Sequence, residues 1–352
     1  MLDILNREQS LRWIDIIKTF PQYDVNYFPH YTQPFAVYGD GEPYLIYFRS
    51  ESLRAANVVM RRDIADDDRF QGKIAPETYF DLITPYGYGG WIFEGDLSVD
   101  SINILDSVYQ QYCTNEGIIS EFVRFHPLFG FDRICSSFYE IVDHGPIICM
   151  DLTKEDVIWE NIDRKKRNII RKAVKQNIAV ECGFDESLLT EFQSIYKETM
   201  LNARADPYYF FDKDFFKCIF MSLKDNALIF YATKNEEIVA VSLVLLSGDK
   251  MNYHLTGSKF AYRSCEPGSL LLYQTAKWGS ENGYRTLLLG GGLGSSEDSL
   301  LRFKKGFNRN SNYIFTTGHK IFNDEIYNQL CKIRHENGVS IDNSTFFPEY
   351  RR

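Results

Sequence analysis

From about residue 190 the apolar and polar positions change period in a regular order. "LLTEFQSIYKETML" and "DKDFFKCIFMSLK" repeat their apolar residues every three or four positions, which predicts two amphipathic helices. "ALIFYAT", "EIVAVSLVLL" and "KMNYHLT" are short apolar or alternating runs between polar turns, which predicts an antiparallel meander of three strands. A helix at "PGSLLLYQTAKWGSENG" stops at Gly283, and "RTLLL", a strand, follows. Another helix at "SEDSLLRFKKGF" and a last strand at "NYIFTTG" complete the run.

The first half carries a fainter copy. "PFAVYG", "PYLIYFR" and "AANVVMR" read as strands, "SINILDSVYQQYCTNEG" as a helix stopped at Gly117, and "IISEFVRF" as the strand after it. The same helix, glycine and strand order occurs at Gly117 and at Gly283, so the chain reads as an internal structural duplication. Thr153 with Asp156 resembles a capping box, Asp163 is placed to cap the next helix, and the domain boundary is expected near 150. The expected domains are residues 1–150 and 151–352.

At 352 residues, 44% hydrophobic and 15% aromatic, the chain can bury two cores. It has no run of the roughly 18 to 20 apolar residues that a membrane-spanning helix needs. Its opening "MLDILNREQSLRWIDIIK" has no leader pattern, so a cytoplasmic location and no integral membrane contact are expected. The seven cysteines are scattered and form no C-x-x-C pair, which argues against a zinc site and against a disulfide framework, and no metal site is expected. A formal charge of -9 excludes a generally basic nucleic-acid-binding surface, so a polyanion would have to meet a local patch.

That patch is the helix "DRKKRNIIRKAVKQN". Arg164, Lys165, Lys166 and Arg167 crowd its first turn, where the helix dipole disfavours cations by ~0.3–1 kcal/mol each. Lys166 also projects within the apolar arc of Ile169, Ile170 and Ala173. An anion held by Lys166 and Arg167 together with free first-turn N–H groups would account for both features.

The glycines of "LLLGGGLGSSEDSLLRFKKGF" do not form a nucleotide loop. Gly290 to Gly294 is followed by Ser295, Ser296 and Glu297, with no lysine after the last glycine, and Glu297 and Asp298 would repel a pyrophosphate. Gly290, Gly291 and Gly292 are instead expected to let a substrate approach the backbone at the end of a strand. In the next helix Lys304 lies about 40° from Leu300, at the edge of the arc of Phe303 and Phe307, so an inward ammonium is expected beside the glycines. "TMLNARADPYYFF" puts Arg204, Tyr208 and Tyr209 in a loop suited to an acceptor. His254 in "YHLTG" could relay a proton or be a satisfied strand histidine, and His126 in "RFHPLFG" is similar.

The runs "YHLTGSKFAYRSCEPGSLLLYQTAKWGSENGYRTLLLGGG", "SEDSLLRFKKGFN", "SEFVRFHPLFG" and "DLTKEDVIWENIDRKKRNIIRKA" resemble the FemAB family of peptidoglycan bridge-forming transferases, relatives of the GNAT acyltransferases. The resemblance covers residues 120 to 318 most strongly and the first hundred weakly. It implies an α/β protein of two tandem GNAT-like domains, each a mixed, mostly antiparallel sheet flanked by helices, with the acceptor between them. It implies an acyl or aminoacyl transfer to an amine of a cell-wall or surface-glycan precursor. Phe303 and Lys304 in "RFKKGF" match the family's Phe-Lys pair at the reaction centre. The long coiled-coil arm of some members is absent, because "FFDKDFFKCIF" runs almost directly into the meander.

No tightly bound cofactor is expected. The donor is either an aminoacyl-tRNA, contacted through the basic helix, or an acyl-CoA. Acetyl-CoA-dependent relatives hold pyrophosphate with [QR]-x-x-G-x-[GA]. Here "YRSCEPGSL" keeps Arg263 and Gly268, but Pro267 lacks an N–H and Glu266 has the wrong charge. The alternatives are a CoA-dependent N-acyltransferase acting on an amino sugar or small amine, and a binding module on the same fold. The donor, the acceptor, the catalytic base and the oligomeric state are not readable from the residues.

Overall fold

The computed structural model describes residues 1–292, 297–336 and 346–352. The chain forms two compact units, residues 1–144 with 316–352, and residues 145–315. The strands in chain order are β1 Leu2–Leu5, β2 Glu42–Arg49, β3 Leu53–Asp63, β4 Phe80–Ile83, β5 Ile92–Gly95, β6 Ile118–Arg124, β7 Glu140–Asp151, β8 Ala179–Gly183, β9 Ala227–Lys234, β10 Glu237–Ser247, β11 Lys250–Ser258, β12 Thr286–Gly290 and β13 Tyr313–Ile321.

In the first unit β1, β2, β3 and β4 pair antiparallel in sequence order, and β4 then pairs parallel with β6. In the second, β8, β9, β10 and β11 form the antiparallel run, and β11 pairs parallel with β12. Each parallel step is bridged by one long helix, Val99–Asn115 in the first unit and Pro267–Glu281 in the second. A parallel pair needs such a crossover, and this is the repeat visible in the sequence.

Each sheet is then closed by a strand from the other half of the sequence. Residues 317–321 of β13 pair antiparallel with β6, and residues 148–151 of β7 pair antiparallel with β12. The division at 150 therefore differs from the compact units. Residues 316–352, expected in the second domain, belong to the first. There Tyr327, Leu330, Cys331 and Tyr350 pack with Ile64, Phe70 and Ile119.

Two local expectations also change. "PFAVYG" is not a strand but part of the helix Pro29–Tyr38, which starts on a proline and stops at Gly39 in the left-handed region with φ 99°. Thr153 does not cap a helix. The helix Glu155–Asn161 begins after Lys154, and Asp151 accepts the Thr153 N–H and hydroxyl instead. Asp163 stands at the start of the helix Arg164–Val174 but makes no side-chain capping hydrogen bond, and the other elements read from the sequence form where the periodicity puts them. The helix Lys213–Ser222 passes through only Leu223–Asn226 before β9, which leaves no room for a coiled-coil arm there. No helix among the described residues is long and apolar enough to cross a membrane.

Candidate active site

The second unit assembles its inward cations at the end of β12. Pairing of β12 with β7 slips between Leu288 and Gly290, and Gly290 takes φ 78°, a conformation that costs other residues most of a kcal/mol or more. A Cβ on Gly291 would stand 3.2 Å from the Pro146 carbonyl oxygen of the neighbouring strand. Two of the three glycines thus have structural reasons, a slipped register and a close backbone approach. Gly292 follows them half-buried. Leu293, Gly294, Ser295 and Ser296 lie outside the described residues.

The helix Ser299–Lys305 starts on Asp298, whose carboxylate accepts the Leu301 N–H at 2.7 Å. Leu301 and Phe307 are fully buried and fix its rotation. Lys304 consequently faces the glycines, and its Nζ donates to the Gly291 carbonyl at 2.7 Å. Burial pushes its pKa down to about 8, with the Asp298 carboxylate pulling weakly the other way. At neutral pH it is still mostly an ammonium, and one held in a position where a change of neighbouring charge is felt strongly.

Lys166 is the second inward cation. It is buried, with Nζ 3.2 Å from the Ser269 hydroxyl, 4.2 Å from the centre of the Phe303 ring and 5.2 Å from that of Phe307. Such cation–π contacts stabilise by about 0.5–2 kcal/mol as desolvation grows. Gly306 makes room for it, since a Cβ there would meet Lys166 Cε at 3.1 Å. Burial lowers its pKa, and Glu266 offsets part of that. Lys166, expected with Arg167 at an anion, lies against the Phe303 ring, because its place in the apolar arc carries it inward. Arg167 is half-buried and reaches only as far as the Trp159 carbonyl at 3.5 Å, while Arg164, Lys165, Arg171 and Lys172 are exposed.

The other expected residues divide in the same way. Arg204 is exposed and closes the helix Glu186–Ala203 in the left-handed conformation. Asp206 caps the next turn through the Tyr208 N–H, the Tyr209 carbonyl accepts from the Tyr196 hydroxyl at 3.0 Å, and Tyr208 meets the edge of Phe211. Both tyrosines are half-buried in an aromatic cluster and keep part of their surface. Arg263 is exposed and lies over Phe260, and a Cβ on Gly268 would meet open space.

His254 stands at the slip between β10 and β11, where Leu243 faces Leu255 and Val244 faces Tyr253, so its backbone falls outside the ladder. Burial lowers its pKa to about 3. A base that weak holds almost no proton at neutral pH, so the geometry favours a neutral strand histidine over a relay. Proton NMR of the imidazole should show it neutral from pH 8 to below about 4, and a midpoint near 6.5 would restore the relay. His126 is buried with Nε2 2.9 Å from the Asp24 carboxylate, a satisfied core pair.

Sequence reasoning did not single out Ser269, which joins Lys166 to Glu266, or the pair Asn308 and Ser311. Asn308 Nδ2 donates to the Cys149 carbonyl at 2.6 Å, and the Ser311 hydroxyl donates to that of Ile147 at 2.8 Å, which fixes the β7 backbone beside the glycines. The cluster of asparagines in "FNRNSN" was the available signal. Among the described residues no group of three or more His, Cys, Asp or Glu is placed to hold a metal ion.

This geometry stands on a fold with known relatives. Each of its two units repeats an antiparallel meander, a crossover helix and a parallel strand, a mixed, mostly antiparallel sheet flanked by helices. Residues 161–305 match the acetyltransferase (GNAT) domain family. The structure is similar to that of FemX, at 14% identity and TM-score 0.67, over 93% of this chain and 99% of that one. It is also similar to a conserved protein of unknown function from Bacteroides thetaiotaomicron, at 10% identity and TM-score 0.57, over 91% and 100%. L-PGS from Bacillus licheniformis shares the fold at 14% identity and TM-score 0.54, over 89% and 92%. None of the curated protein sequences compared with the chain matches it.

Proposed function

We propose that the chain transfers an acyl or aminoacyl group to an amine of a cell-wall or surface-glycan precursor. The observation that carries this reading is the enclosed Lys304 ammonium on the Gly291 carbonyl, beside Phe303. In the reaction a neutral amine nitrogen attacks the carbonyl carbon of an ester or thioester. A C–N bond forms, the C–O or C–S bond breaks with its electron pair on the leaving atom, and the amine's proton ends on that atom. Negative charge develops on the carbonyl oxygen and then on the leaving group, and a fixed cation in a poorly solvated position lowers that barrier. Lys304 supplies the cation, Phe303 and Lys166 fix its helix, and Arg204, Tyr208 and Tyr209 are the groups offered to an acceptor.

FemX and L-PGS support the aminoacyl form through their shared fold. The match of residues 161–305 to an acetyltransferase domain favours a second reading, CoA-dependent acylation of an amino sugar or small amine. A mass-spectrometric transfer assay that pairs aminoacyl-tRNA or acyl-CoA donors with amine-bearing glycan and stem-peptide precursors tests both. Product that depends on Lys304 supports the reading. Binding of a precursor without transfer from any donor would overturn it in favour of a binding module.

A further inference from the structure

We infer that this chain does not take its acyl group from a coenzyme A thioester, and that Glu266 decides this. The inference deepens the transferase reading by naming the class of donor excluded. A CoA diphosphate needs free amide N–H groups and no competing anion where the crossover helix begins. Here the helix Pro267–Glu281 opens on a proline without an N–H. Beyond Gly268 the amides turn back, with the Ser269 and Leu270 N–H groups directed to the Glu266 carbonyl at 3.1 and 3.4 Å. Glu266 itself stands in the left-handed region, φ 56° and ψ 42°, which is rare for a residue with a side chain.

That backbone turns its carboxylate over the helix start. Glu266 Oε2 accepts the Ser269 hydroxyl at 3.0 Å, and Ser269 Oγ accepts from the buried Lys166 ammonium at 3.2 Å. An internal carboxylate thus stands in the position of the ligand's anion, joined through one hydroxyl to the cation that would otherwise attract it. Arg263 does not replace what is lost, since it is exposed and lies over Phe260. A dianionic diphosphate would meet a like charge, and a helix start where proline removes one donor and the Ser269 and Leu270 N–H groups are directed to the Glu266 carbonyl.

Calorimetric titration separates the cases without any catalysis, so it can fail independently of the transfer reaction. Acetyl-CoA added to the intact protein should show no saturation below about 0.1 mM. Glu266→Gly, which removes the charge and suits the backbone angle, should tighten acetyl-CoA and inorganic pyrophosphate at least about tenfold and leave pantetheine unchanged. Glu266→Gln, which keeps the side chain's size, should move in the same direction, and adding Lys166→Met should cancel the gain. Saturation of the unaltered protein at a few micromolar acetyl-CoA would overturn the inference. So would a lack of gain in both Glu266 variants, or an equal gain for pantetheine.

Discussion

Lys304→Met is expected to lower turnover at least about tenfold, a loss of about 1.4 kcal/mol or more of transition-state stabilisation, while thermal stability changes little. Methionine keeps an unbranched stem, so the packing beside Phe303 survives. The stability lost is that of one hydrogen bond to the Gly291 carbonyl, ~0.5–1.5 kcal/mol, and removing a desolvated ammonium offsets part of it. The pH profile provides a second readout. With its pKa lowered by burial to about 8, the group is cationic below that value and neutral above it, so turnover should fall as pH rises through about 8. That descending limb should vanish in the variant. Unchanged turnover, or an unchanged limb, would remove Lys304 from the chemistry.

Arg351→Met is expected to destabilise the first unit by about 3–5 kcal/mol, the usual result of stripping a buried carboxylate of one partner. Asp81 is fully buried on β4, with Arg62 Nε at 2.7 Å and Arg351 Nε at 2.8 Å on its oxygens. The Tyr350 hydroxyl adds a contact at 3.2 Å and bonds Ser120 at 2.7 Å. Burial alone would push the Asp81 pKa up, but the two guanidinium groups hold it below the ordinary carboxylate value. A depressed folded pKa stabilises above the unfolded value and loses that contribution as pH falls through the folded one. Without Arg351 the folded pKa rises, so acid unfolding should begin at a higher pH than in the unaltered protein. Urea melts followed at several pH values would show both effects, and a loss below 1 kcal/mol with the same acid midpoint would mean that the pair does not support the unit.

Lys304 was legible in the sequence because a helix is a local object. Four steps of 100° from Leu300 place Lys304 at the edge of the apolar arc without knowledge of anything distant. The same arithmetic gave Lys166 an inward direction, but not the groups it meets there. Whether an inward lysine meets an anion or two phenylalanine rings depends on Phe303, Phe307 and Ser269, which lie more than a hundred positions away. His254 shows the same limit, because its lowered basicity comes from the bulge and from burial within the sheet, and a single strand shows neither.

The sequence by itself determined the periods of most helices and strands, the repeat of helix, glycine stop and strand, and the inward lysine next to the glycines. All of these rest on interactions within one element or between chain neighbours, where side-chain direction follows from backbone period. Only the tertiary structure decided which strands close each sheet, with β13 on β6 and β7 on β12, and hence that residues 316–352 complete the first unit. It alone placed Arg351 on Asp81 and joined Lys166 through Ser269 to Glu266. Closing a sheet edge requires only a strand with free N–H and C=O groups and a matching apolar face, so the local pattern of β7 or β13 suits either edge. Packing of the residues that follow, down to Tyr350, makes the choice.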